Sequence, residues 1–133
     1  MEKHVNFHAA SAVLVVRDVL RAAEHYRDAL GFTIAFTYGE PAFYAGVERG
    51  HVNIHLHAAE RSPRQPGQGA VYVFVDDVDA YHDQIRGRGA DVVKPPQDYP
   101  YGMRDFDVRD RDGNQLSFGC ESRAGTRGEA TGS

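Results

Sequence analysis

The chain has 133 residues, 41% hydrophobic and 26% charged, with a formal net charge of −4. That length supports one folded unit with a proper core, and the acidic balance without any Lys/Arg-rich run argues against nucleic acid as a partner. The single Cys120 excludes an internal disulfide and suits a reducing cytoplasm, where the chain is expected to work.

The opening, Met1-Glu2-Lys3-His4, carries no signal-like apolar stretch, and no run approaches the about 20 residues of a membrane span. Residues 10–16 read as a first strand, apolar on both faces. Asp18 is a candidate N-cap, and Val19, Ala22, Ala23, Tyr26 and Leu30 follow on one helical face, closed by Gly31. Strands are expected at residues 32–38, 43–48 and 51–57, separated by Gly39-Glu40-Pro41 and Arg49-Gly50 turns. The Pro- and Gly-rich stretch 61–69 is the clearest linker. Beyond it the pattern restarts, with a strand at 70–75, a helix capped by Asp77 with Val78, Tyr81 and Ile85 inward, and closure at Gly87 and Gly89. A short strand at 91–93, a proline loop, and strands at 103–108 and 115–119 complete the series. Residues after about Glu121 contain almost nothing apolar and read as a disordered tail, 121–133.

The chain therefore repeats one design. Val15-Val16-Arg17-Asp18-Val19 returns as Phe74-Val75-Asp76-Asp77-Val78, each ahead of a helix and further strands. With βαβββ written twice and Arg109-Asp110-Arg111-Asp112-Gly113-Asn114-Gln115-Leu116-Ser117-Phe118 near the end, the sequence resembles the vicinal oxygen chelate superfamily. That group includes glyoxalase I, extradiol dioxygenases, fosfomycin-resistance enzymes and bleomycin-resistance proteins. The resemblance covers about residues 8–120 and implies an α+β fold, two βαβββ modules (8–58 and 70–120, linker 59–69) curving around a cleft. Tyr44-Ala45-Gly46-Val47-Glu48-Arg49-Gly50 with Ile54-His55-Leu56, and Asp77-Val78-Asp79-Ala80-Tyr81-His82, are similar to segments of the bleomycin-binding members. Those members imply a homodimer with a crossed N-terminal strand, for which Val5, Phe7 and Val13 have suitable apolar character.

Enzymes of the superfamily hold a divalent metal with one His or Glu from each of four strands, and the metal gathers substrate oxygens as a Lewis acid. The corresponding positions here are Ser11, His55, Ala70 and Ser117. Only His55 is a competent ligand, so no metal and no cofactor is expected. His51, Asn53, His55 and His57 would share one face of a strand, and His8 lies nearby in sequence. They leave open a rival reading, a lyase, isomerase or dioxygenase-like enzyme with a metal shifted to His55 plus His51, His57 or His8. Polar histidines lining a wet cleft are the favoured reading of this cluster.

For the cleft itself, Tyr38, Tyr44, His55, His57, Tyr72, Phe74, Tyr101, Asp105 and Ser117 are the candidate ligand-binding residues. An aromatic floor edged by Asp105 and Asp107 suits a flat, cationic molecule, through stacking and charge pairing. The absence of Trp separates the chain from its drug-binding relatives, whose grooves use it. The favoured expectation is a metal-free binding protein that sequesters an aromatic antibiotic or metabolite, cations included; a further rival is an interaction module that buries the cleft face on another protein.

Overall fold

A computed structural model describes residues 2–122. Strand β1 (Ala12–Val16) leads into helix α1 (Val19–Leu30), then β2 (Thr33–Tyr38), β3 (Tyr44–Arg49) and β4 (Val52–Ala58). After a short 3-10 turn the order repeats as β5 (Ala70–Phe74), α2 (Val78–Ile85), β6 (Asp91–Asp98), β7 (Met103–Arg109) and β8 (Gln115–Glu121). The strands form two four-stranded sheets, ordered β1-β4-β3-β2 and β5-β8-β7-β6, with the first pair of each parallel and the rest antiparallel. This is the expected doubled α+β arrangement.

Local chemistry starts and stops the helices as the sequence indicates. The Asp18 carboxylate accepts from the Arg21 N–H at 3.1 Å, and Asp77 does the same for Ala80 at 3.0 Å. Gly31 ends α1 in the left-handed region at φ 77°, which costs glycine nothing. Val19, Ala22, Ala23, Tyr26 and Leu30 are all buried, as are Val78, Tyr81 and Ile85 on α2.

Alternation along the strands sends Leu14, Val16, Ala45, Val47, Ile54 and Leu56 into a core shared with Val73, Phe106, Val108, Leu116 and Phe118. Polar ties join the two modules. The Tyr26 hydroxyl donates to Asp110 across 2.9 Å, Asn114 donates its amide to the Val15 carbonyl at 3.0 Å, and the Tyr81 hydroxyl donates to the Leu30 carbonyl at 2.7 Å.

Two expectations need correcting. The sixth strand does not stop at residue 93 but runs through Pro95-Pro96 to Asp98. β6 pairs only with β7, and its register slips between Val92 and Lys94 and again between Lys94 and Gln97, so the prolines interrupt no central ladder. His51 does not join the histidine face, because it stands in the two-residue turn between Arg49 and Val52. His8 lies in the exposed segment ahead of β1, outside any strand. The expected tail, apart from Glu121 and Ser122, lies outside the described residues.

Candidate ligand-binding faces

The face of each sheet turned away from the helices carries the candidate residues. In the first sheet, register places Val13 beside His55, His55 beside Gly46, and Gly46 beside Phe36. One step along, Val15, His57, Tyr44 and Tyr38 form the next row. The Phe36 ring lies flat across Gly46, where any Cβ would collide with it. It stacks on Tyr44 at 6.3 Å and meets His55 edge-on at 5.5 Å. Tyr44 Oη and His55 Nδ1 are 2.9 Å apart, a hydrogen bond whose direction follows the histidine tautomer. His57 packs edge-on against the Tyr44 ring at 5.3 Å, whereas Tyr38, at the strand end, contacts Phe43 instead.

The second sheet repeats the device with other residues. Tyr72 on β5 pairs with Ser117 on β8, and Ser117 with Asp107 on β7. The next row is Phe74, Gly119 and Asp105. Tyr72 lies across Gly119, whose hydrogen alone leaves room, and its hydroxyl reaches over that strand to Asp105 at 2.9 Å. The Tyr101 hydroxyl donates to the same carboxylate oxygen at 2.8 Å, and Lys94 reaches the other oxygen at 3.2 Å. Lys94 also lies 3.4 Å from Asp107, which accepts from the Ser117 hydroxyl at 2.6 Å.

Asp105 thus sits on the expected face, but it is only 2% exposed and already paired. Burial alone would raise its carboxyl pKa, yet bonds from Tyr101, Tyr72 and Lys94 outweigh that and hold it below the usual range. Burial pushes the Tyr72 hydroxyl up, and the neighbouring Asp105 pushes it further. For Lys94, burial acts downward, but the contacts with Tyr99, Asp105 and Asp107 win and keep it protonated. The free acidic edge expected from sequence is in fact a salt-bridged cluster.

Sequence reasoning missed Phe36, Lys94 and the two glycines. A glycine inside a strand signals a close approach, and Gly46 and Gly119 both carried that signal. Nothing local marked Phe36 or Lys94, because each follows a register slip that breaks simple alternation.

The four expected metal positions do not fit a divalent ion. Ser11 precedes β1, Ala70 has no donor atom and the Ser117 hydroxyl is engaged by Asp107, so of the four positions His55 alone offers a competent donor, the nitrogen that Tyr44 leaves open. Among the described residues no group of three or more His, Cys, Asp or Glu side chains converges to hold a metal. A cavity of about 480 Å³ opens elsewhere, between the β3–β4 turn and the start of α2. Its polar walls are mostly employed, since Asp77 caps α2 and Arg49 binds the Leu30 carbonyl and Gln84. Of the aromatic faces only Phe74 lines it.

Residues 4–118 match the family model of the Glyoxalase/Bleomycin resistance protein/Dioxygenase superfamily. The chain belongs to that superfamily. Among solved structures it is similar to the bleomycin-binding protein of bleomycin-producing Streptomyces verticillus, complexed with copper(II)-bleomycin. That match has 29% identity and a TM-score of 0.72, and it covers 86% of this chain and 97% of the other. TnmS3, an antibiotic binding protein from Streptomyces sp. CB03234, matches at 24% identity and TM-score 0.75, over 90% and 100% of the two chains. TioX from Micromonospora sp. ML1 matches at 24% identity and TM-score 0.74, over 87% and 100%. At those lower identities the likeness concerns the fold. None of the curated proteins matches the chain. The superfamily holds binding proteins and metal enzymes alike, so membership leaves the choice to the site.

Proposed function

We propose that this superfamily member is a binding protein that sequesters a small planar molecule between its aromatic faces and leaves it chemically unchanged. The observation that carries this reading is the pair of rings laid flat over strand glycines, Phe36 on Gly46 and Tyr72 on Gly119. Flat, outward-facing aromatic surface on both sheets is what stacking onto a planar ligand needs, and it is poorly suited to bare exposure to water. Phe74 at 75% exposed and Tyr101 at 63% extend the surface. The bleomycin-binding relative lends support to a drug or metabolite as the ligand. The absence of tryptophan favours a different compound from bleomycin itself. The catalytic alternatives need a metal, and the donor set at Ser11, His55, Ala70 and Ser117 does not suit one.

The proposal includes a homodimer in which the face of one module meets the other module of the partner. The exposed segment before β1, with Phe7 at 95% exposed, would lie on the partner. The cytoplasm is the proposed compartment.

The test is calorimetric titration of a panel of glycopeptide and aromatic antibiotics, with metal analysis of untagged protein beside it. A stacking tyrosine contributes about 1–2 kcal/mol, so Tyr72→Ala should weaken the best ligand roughly tenfold while the fold survives. A tight ligand indifferent to both Tyr44→Ala and Tyr72→Ala would place the site elsewhere. One metal per chain, lost in His55→Ala, would overturn the metal-free reading.

A further inference from the structure

We infer that the patch around Asp105 on the cleft face of the second sheet is an acceptor surface, which selects planar ligands carrying N–H or O–H groups on their edge over ligands that offer only acceptors. This rests on the binding reading above and specifies the chemistry of its ligand.

The argument is a count of hydrogens. A hydroxyl has one hydrogen to donate and lone pairs to accept with. Tyr72 and Tyr101 both commit theirs to Asp105, at 2.9 and 2.8 Å, and Ser117 commits its own to Asp107 at 2.6 Å. Gln115 turns an amide N–H toward Ser117 at 3.4 Å. What the three oxygens retain for an incoming molecule is lone pairs. Lys94 is the cation of the group, and it is held between Asp105 and Asp107 at 3.2 and 3.4 Å. Two carboxylates against one ammonium leave the cluster one negative charge in excess.

Reversing a tyrosine hydroxyl to donate outward would take a hydrogen bond from the buried Asp105 carboxylate. A buried charged acceptor short of a donor is costly, so the carboxylate enforces the polarity of the surface. A phenol, an aromatic amine or an amidinium meets complementary atoms. A carboxylate, phosphate or aryl ether brings lone pairs against lone pairs, and an anion also meets the excess charge.

The experiment compares matched probes, 2,6-dihydroxynaphthalene with 2,6-dimethoxynaphthalene and 4,4′-dihydroxybiphenyl with 4,4′-dimethoxybiphenyl. Binding is followed by NMR titration of the tyrosine ring signals. Wild type should prefer each diol by about fivefold or more, the worth of one hydrogen bond. Tyr101→Phe, which takes one donor from Asp105 while Tyr72 and Lys94 still hold it, should lower stability modestly, lower diol affinity and leave the diether unchanged. Asp105→Asn, where it folds, releases the tyrosine hydroxyls to donate outward and should narrow the preference. Equal affinity for diol and diether in wild type would overturn the inference while leaving the binding reading intact. If neither class perturbs any ring of the two faces at millimolar concentration, the binding reading fails and the inference with it.

Discussion

At Asp105 a single buried carboxylate organises a whole face, and acid should expose its role. Its pKa in the fold lies below the usual value, because Tyr101, Tyr72 and Lys94 outweigh the upward push of burial. A depressed folded pKa contributes stability that is fully present above the unfolded value, about 3.9, and is lost as pH falls through the folded one. Urea unfolding of wild type and Asp105→Asn at stepped pH should therefore show a stability gap at neutral pH that closes below about pH 4. A gap that is the same at every pH would mean the carboxylate is not charged in the fold. Gly119 gives a second test at this scale. A methyl group there would strike Tyr72, so Gly119→Ala should lift the ring, break its bond to Asp105 and weaken ligand nearly as much as Tyr72→Ala. Because Tyr72 borders open space, the fold should persist; unchanged affinity would show that the flat seating of the ring is incidental.

Among the elements, α1 is tied to the second module by two buried side-chain bonds, Tyr26 to Asp110 and Tyr81 to the Leu30 carbonyl. Asp110 is otherwise served by the backbone N–H groups of Asp112 and Asn114 and by the Asn114 amide. Tyr26→Phe leaves that carboxylate one donor short and should cost about 1–3 kcal/mol in chemical denaturation, with the helix still formed. A loss within error would indicate that the turn relaxes to recruit water. The same helix shows what was legible beforehand. Its inward residues, its Asp18 cap and its Gly31 stop all lie in consecutive positions governed by one period, so sequence revealed them. So too did the core faces of β1, β4, β5 and β8. Phe36 and Lys94 stayed hidden because β2 and β6 slip register just where they occur. The pairing of Lys94 with Asp105 and Asp107 depends on which strands become neighbours, a non-local fact that no window of residues contains. Hence the candidate acid was placed on the correct face with the wrong availability.

For the whole molecule, exposed aromatic surface on both sheets and the exposed Val5 and Phe7 before β1 argue for a second copy. No ring contact among the described residues joins the Tyr44 cluster to Tyr72 and Phe74, so one chain leaves each set uncovered by the other. Sedimentation equilibrium should find a dimer at micromolar concentration. Phe74→Glu, which puts a charge on the proposed interface at a position already exposed in the chain, should shift it toward monomer without changing helix content. A wild-type monomer would remove the partner from the proposal and require a single face to hold the ligand.

The two sheets share one register across β1-β4-β3 and β5-β8-β7, and the match reaches Phe36 and Lys94 before β6 slips a second time. Val13 corresponds to Tyr72, His55 to Ser117, Gly46 to Asp107, Phe36 to Lys94, and Tyr44 to Asp105. On the core side the counterparts are alike, Ile54 with Leu116 and Val47 with Val108; on the cleft side hardly any chemistry is shared. A groove built from one wall of each kind has a head and a tail. It would hold an unsymmetrical guest in one orientation, its ring edge with the hydrogens toward Asp105 and its other end among the imidazoles, and a mirror-symmetric guest would waste half of that discrimination.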